Sequence, residues 1–162
     1  MKTYDTLIIG FGKAGKTLAA ALSKKGERVA LVEKDSSMYG GTCINVGCIP
    51  SKRLITEAAL APKENFALQK QYYKAAIENK NTLTSALRAA NYNKLIESGV
   101  DVIDGTASFL NASSVEVKSS DGKVQPIEAK KFVIDTGSYP FVPPALRTEN
   151  NPHVYVSESI MD

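Results

Sequence analysis

The chain is predicted to fold as an α/β domain: a parallel sheet with flanking helices and a small antiparallel β-meander. Three observations predict it. An apolar run, Tyr4 to Ile9, is followed at once by Gly10-Phe11-Gly12-Lys13-Ala14-Gly15 and a helical stretch from Lys16 to Lys25, the strand, glycine turn and helix order of a dinucleotide-binding unit. A second apolar run, Arg28 to Val32, follows Gly26 and ends on an acid, Glu33. Further on, short strand-like segments flank Asp121-Gly122, a hairpin signal.

The glycines of the first turn have separate tasks. Gly10 makes the tight turn, Gly12 lets backbone approach a pyrophosphate, and Gly15 lets helix pack close to strand. Lys13 and Ala14 complete the turn, and the helix that follows presents N–H donors and a positive end to the phosphates. Leu18, Ala21 and Leu22 fall at helical spacing for the sheet-facing side, and Gly26 stops the helix. Glu33 lies eighteen residues after Gly15, where an acid accepts hydrogen bonds from ribose hydroxyls and repels a phosphate. Lys34 adjoins it in the expected site. This Rossmann-like unit does not by itself distinguish NAD from FAD.

The two cysteines, Cys43 and Cys48, are the only ones in the chain and lie in Gly41-Thr42-Cys43-Ile44-Asn45-Val46-Gly47-Cys48-Ile49-Pro50-Ser51-Lys52. On a regular helix, residues five apart have Cα atoms roughly 8.6 Å apart, beyond the roughly 7 Å that a disulfide can bridge. A bridge would need a distorted turn, which Gly47 and Pro50 can supply. Thr42 reads as an N-cap of a helix carrying both cysteines, near a positive end that stabilises an anionic sulfur. A redox pair, a structural disulfide and two unrelated thiols all fit the residues. No metal site is expected, because zinc wants four ligands in paired short spacings and the single His, His153, is far downstream.

Beyond Pro62 a long polar helix is expected from Lys63 to Glu97, with Phe66, Tyr73, Ile77, Leu83, Leu87 and Ala90 at helical spacing and Gly99 as its stop. Tyr72, Tyr73 and Tyr92 read as packing residues. Val100 to Ile103 reads as a strand. Gly105 to Leu110, Ser114 to Lys118 and Val124 to Glu128 read as a meander covering one face of the sheet. Phe132 to Asp135 returns to the sheet and delivers Thr136-Gly137 at its carboxyl end, where ligands bind in open α/β sheets. Pro140, Pro143 and Pro144 mark a domain exit, and Val154 to Val156 a last strand or a linker.

Together these motifs resemble the amino-terminal part of the class I pyridine nucleotide-disulfide oxidoreductases, the family of dihydrolipoamide dehydrogenase, glutathione reductase and mercuric reductase. Gly-Gly-Thr-Cys-x-Asn-x-Gly-Cys-x-Pro-Ser-Lys runs without a gap from Gly40 to Lys52, and Thr136-Gly137-Ser138-Tyr139-Pro140 follows a strand. The resemblance implies FAD as the first nucleotide, held by Gly10, Gly12, Gly15 and Glu33, with Gly41, Thr42, Thr136 and Gly137 close to it. It implies a redox-active Cys43 and Cys48 disulfide, Cys48 against the flavin, Cys43 meeting the substrate, and Lys52 placing a cation near the flavin edge. Electrons would pass from NAD(P)H through FAD and the disulfide to a disulfide, metal or oxidant substrate. Asp135, Met38-Tyr39 and the first turn look most like the mercuric-reductase-related branch that includes bacterial reactive-chlorine-defence flavoproteins.

A complete enzyme of this family needs further domains, and 162 residues hold about one. The expectation is an incomplete FAD-binding domain over 1–145, then a connector over 146–162 toward an absent NAD(P)-binding domain. Alone it is expected inactive; the full-length protein is expected to be a homodimer using NAD(P)H. His153, after Asn150-Asn151-Pro152, is not expected to be catalytic. The other reading is a non-enzymatic FAD or ADP-ribose-binding module whose cysteines sense oxidation. A net charge of +3 without a basic run interleaved with aromatics argues against a nucleic-acid partner. No signal-peptide pattern or apolar run of about 20 residues is present, so a cytoplasmic protein without a membrane partner is expected.

Overall fold

The computed structural model describes residues 2–63, 65–146, 151 and 153–161. In chain order the elements are β1 (Lys2–Ile9), α1 (Lys13–Lys24), β2 (Val29–Glu33), α2 (Thr42–Asn45), α3 (Cys48–Leu60), α4 (Phe66–Glu97), β3 (Asp101–Asp104), β4 (Thr106–Asn111), β5 (Ser114–Lys118) and β6 (Val124–Ile134). They form two compact units, Met1–Gly41 with Leu87–Gly137 and Thr42–Ala86 with Ser138–Asp162.

The first unit is the α/β sheet that the sequence predicts. Its strand order is β3-β2-β1-β6-β5-β4; β3, β2, β1 and β6 are parallel neighbours, while β6, β5 and β4 pair antiparallel. Alternation along the central strands sends side chains to two cores. On one face Leu7, Ala30 and Val32 cluster with Val115, Val117 and Ile127, so the meander covers that face as expected. On the other, Ile8, Val29 and Leu31 meet Ala19 of α1 and Leu95 of α4.

Two expectations for this unit need correction. The segments read as separate strands, 124–128 and 132–135, are one strand, β6, which pairs first with β5 (Val115↔Ile127) and then with β1 (Ile9↔Ile134). The charged Lys130-Lys131 pair obscures this in the sequence, yet both lysines are exposed and anchored, Lys130 to Asp5 and Lys131 to Glu27, each at 2.7 Å. Second, the sheet-facing line of α1 is Gly15, Ala19 and Leu22, not Leu18, Ala21 and Leu22. Gly15 and Ala19 are buried and Leu22 half-buried, while Leu18 and Ala21 are exposed. The helix begins at Lys13, and the close approach at Gly15 sets which positions point inward at i+4 and i+7.

In the second unit the cysteine segment is broken rather than one helix. Thr42 is the first residue of the short α2, and its carbonyl accepts the Val46 N–H at 3.0 Å. Gly47, at φ −138° and ψ −107°, leaves helical geometry and becomes the N-cap of α3. Pro50 then falls in the first turn of α3, where its missing N–H has no helical acceptor to leave unpaired.

The long α4 starts after Asn65, whose Oδ1 accepts the N–H groups of Ala67 and Leu68, and Gly99, at φ +81°, ends it. Its buried residues within the second unit are Ala76, Lys80 and Thr84, a spacing of four that the apolar pattern did not disclose. Phe66 and Tyr73, expected to pack, are exposed. Residues 154–156 form no strand, and of the expected connector 147–150, 152 and 162 lie outside the described residues. No helix among the described residues is long and apolar enough to cross a membrane.

Candidate functional site

In the first unit, Gly10, Gly12, Gly15 and Gly41 converge on one backbone surface. A Cβ at Gly10 would stand 2.1 Å from the Asp135 carbonyl oxygen, and one at Gly15 2.6 Å from the Gly10 oxygen. At Gly41 it would meet the Gly12 Cα at 2.8 Å. Gly10 also has φ +111°, so shape and torsion both require glycine there. The turn is pinned from both sides of β1: the Gly10 N–H donates to Val32 O and the Asp135 N–H to Ile9 O, each at 2.8 Å. The result is a bare strip of backbone opening into the first turn of α1, with Lys13 and Ala14 exposed beside it and Thr136 and Gly137 next in chain after Asp135.

Glu33 is buried at the end of β2. Its Oε2 accepts the Phe11 N–H at 2.8 Å and its Oε1 the Asp35 N–H at 3.2 Å. A carboxylate has about four lone-pair sites, so the same group that locks the glycine turn retains acceptor capacity for hydroxyls. Lys34 is exposed beside it.

Two features of this region were not part of the expected site. The Tyr39 ring lies 4.8 Å from that of Phe11 and stacks on Tyr92 at 5.2 Å, and its hydroxyl donates to Asp104 at 2.5 Å. Burial, followed by that hydrogen bond, raises the Tyr39 hydroxyl above its usual range. The column ties the glycine turn to α4 and the end of β3. Asp135 is the other: its Oδ2 accepts the Gly15 N–H at 2.7 Å. The acid at the strand end was visible in the sequence, but its partner, 120 positions away, was not.

In the second unit, Cys43 lies on α2 and Cys48 is the first residue of α3; both are exposed thiols. Cys48 therefore occupies the positive end of a 13-residue helix. Lys52, exposed, is four residues on and shares its face. Gly47 is held close by both ends of the break: a Cβ there would stand 3.1 Å from Thr42 O, and Gly47 O accepts the Ser51 N–H at 3.1 Å and its hydroxyl at 2.7 Å. An open cavity of about 240 Å³ is lined by Thr42, Val46, Ser138, Tyr139, Pro140, Ser157 and Glu158. It joins the start of the cysteine motif to the residues just after Thr136-Gly137. Farther along α3, buried Glu57 accepts from Tyr72 at 3.0 Å and pairs with Arg53 at 2.5 Å. His153 is exposed.

Residues 4–160 match the family model described as pyridine nucleotide-disulphide oxidoreductase. The chain belongs to this family. It is 42% identical over 163 residues to the probable pyridine nucleotide-disulfide oxidoreductase RclA of Escherichia coli strain K12, covering 100% of this chain and 35% of that protein. It is 38% identical over 150 residues to a mercuric reductase of Streptomyces lividans, covering 86% of this chain and 31% of the relative. Among solved structures, the HOCl-induced flavoprotein disulfide reductase RclA from Escherichia coli superposes with a TM-score of 0.82 at 40% identity over 98% of this chain and 34% of that one. A Cu(II) complex of RclA gives 0.78 at 44% identity over 89% of this chain and 31% of that one. The chain thus spans about a third of the length of these family members.

Proposed function

We propose that this oxidoreductase-family chain is the FAD-binding and redox-disulfide portion of a flavoprotein reductase, with the flavin domain over 1–145 and a connector over 146–162. The observation that carries it is the glycine strip closed by Glu33, whose carboxylate is bonded to the Phe11 N–H at 2.8 Å. Backbone excludes side chains at Gly10, Gly15 and Gly41, and a Cβ at Gly12 would meet the Asp135 carboxylate at 2.7 Å, which fits a pyrophosphate lying on backbone N–H groups. Glu33 has lone pairs left for ribose hydroxyls and a charge that disfavours a phosphate there. Lys13, Ala14, Lys34, Thr42, Thr136 and Gly137 complete the cofactor contacts.

When bound, FAD would carry two electrons from NAD(P)H to the Cys43 and Cys48 pair. Cys48, at the head of α3, is assigned to the flavin, Cys43 to exchange with the substrate, and Lys52 to a cationic charge beside them. The acceptor class is a small-molecule disulfide, metal or oxidant. NAD(P)H binding, a homodimer interface and turnover are assigned to a longer, cytoplasmic protein, and the chain alone is expected to be inactive.

The test is the visible spectrum of FAD-loaded chain after reduction with a dithiol. Cys48→Ser is expected to abolish a long-wavelength thiolate-to-flavin band, and Cys43→Ser to preserve or enhance it. The reverse pattern would overturn the assignment of the two sulfurs.

A further inference from the structure

We propose that Asp135 is a positioning residue of the pyrophosphate turn: a remote cap of α1 whose negative charge limits how tightly the turn holds a nucleotide. This rests on the flavin reading above. A helix begins with N–H groups that have no partner inside it, and an N-cap side chain ordinarily takes one at the second or third position. The N-cap of α1 is Gly12, which makes no side-chain hydrogen bond, and the first turn carries no acidic residue. The missing acceptor comes from the end of the neighbouring strand β6, distant in sequence but adjacent in the sheet, where Asp135 Oδ2 takes the N–H of Gly15, the third helical residue, at 2.7 Å.

The same residue bounds all three glycines. Its carbonyl oxygen is what a Cβ at Gly10 would strike, and its Oδ2 lies where Cβ atoms at Gly12 and Gly15 would come within 2.7 and 2.8 Å. Its own N–H is fixed to Ile9 O at 2.8 Å. Asp135 therefore holds the turn in shape. It also places a carboxylate against the helix end that would attract phosphates, offsetting part of that attraction and repelling a pyrophosphate on the same strip. An amide at this position keeps the acceptor oxygen and removes the charge.

The experiment compares wild type, Asp135→Asn and Asp135→Ala by titration with FAD, ADP and adenosine at low and high salt, and by amide hydrogen exchange of the nucleotide-free chain. Asp135→Asn is expected to bind FAD and ADP on the order of tenfold more tightly at low salt. The gain should shrink as screening increases, and adenosine, which lacks phosphate, should not respond. A merely structural role would move all three ligands together. Protection of the Gly15 amide should survive in Asp135→Asn and fall in Asp135→Ala. Unchanged or weaker ADP binding by Asp135→Asn at low salt, or a gain indifferent to salt, overturns the charge effect. Unchanged Gly15 protection in Asp135→Ala overturns the cap. If none of the three proteins binds FAD or ADP, the flavin reading fails and takes the charge effect with it, while Gly15 protection still decides the cap.

Discussion

Replacing Gly15 with alanine is expected to destabilise the first unit by about 2 kcal/mol or more, against a helix-propensity gain of about 1 kcal/mol for the same change in an open helix. The sign is decided by what the new methyl meets. It would stand 2.6 Å from the Gly10 carbonyl oxygen, 2.8 Å from Asp135 Oδ2 and 3.1 Å from Ile8 Cγ2. The first of these is backbone, in a turn pinned by the Gly10 N–H to Val32 O bond, so no rotamer change relieves it. Gly12→Ala differs in kind. Its φ of −72° suits any residue, and the nearest atom is Asp135 Oδ2 at 2.7 Å, a side chain. Its cost of about 1–2 kcal/mol should therefore largely vanish in an Asp135→Ala background, whereas that of Gly15→Ala should persist. Urea denaturation of the nucleotide-free singles and doubles gives the coupling, expected at about 1 kcal/mol for the 12–135 pair. Full tolerance of Gly15→Ala, or equal costs of Gly12→Ala in both backgrounds, would refute the packing described for this turn.

Two further predictions concern pH. Tyr39 is raised by burial and by its bond to Asp104, and Tyr4 is pushed up to about 12 by burial and Asp101. Both contribute stability that is complete below the unfolded tyrosine value of about 10 and is lost as pH rises through the folded values. Urea midpoints should fall above pH of about 10, less steeply in Tyr39→Phe; identical alkaline slopes would count against the aromatic column. At the acid side, hydrogen bonds from Lys130 and Lys131, first among their causes, hold Asp5 and Glu27 below the usual carboxylate range. Their contribution is present above the unfolded values and lost as pH falls through the folded ones, so Glu27→Gln should shallow the acid limb of stability, and an unchanged limb would show the Lys131 pair to be idle.

Much of the fold was legible because the signals were local. The glycine turn, the apolar alternation of β1 and β2 and the Asp121-Gly122 hairpin each carry their geometry within a few residues. What escaped reading depended on partners distant in sequence. The continuity of β6 is hidden by the charged Lys130-Lys131 pair, whose place in a strand is explained by Asp5 on β1 and Glu27 just before β2. The inward line of α1 is not legible because hydrophobicity favours Leu18, while the close approach at Gly15 sets the rotation. Glu33 stands out in the sequence by its spacing from Gly15, but its bond to the Phe11 N–H does not. Gly47 marks in the sequence a point where the backbone can distort, but not the boundary between two separate helices. Tyr39 and Asp135 stood out as residues without showing what they would touch.

The most direct test of the central claim is a titration of FAD into the chain, followed by flavin fluorescence and visible absorption, with Glu33→Leu as the comparison. Saturable one-to-one binding is expected, weaker than in a full-length reductase and lost in a folded Glu33→Leu protein. No saturable binding, or binding indifferent to Glu33, would contradict the assignment of the glycine turn and Glu33 to the flavin's adenosine and pyrophosphate.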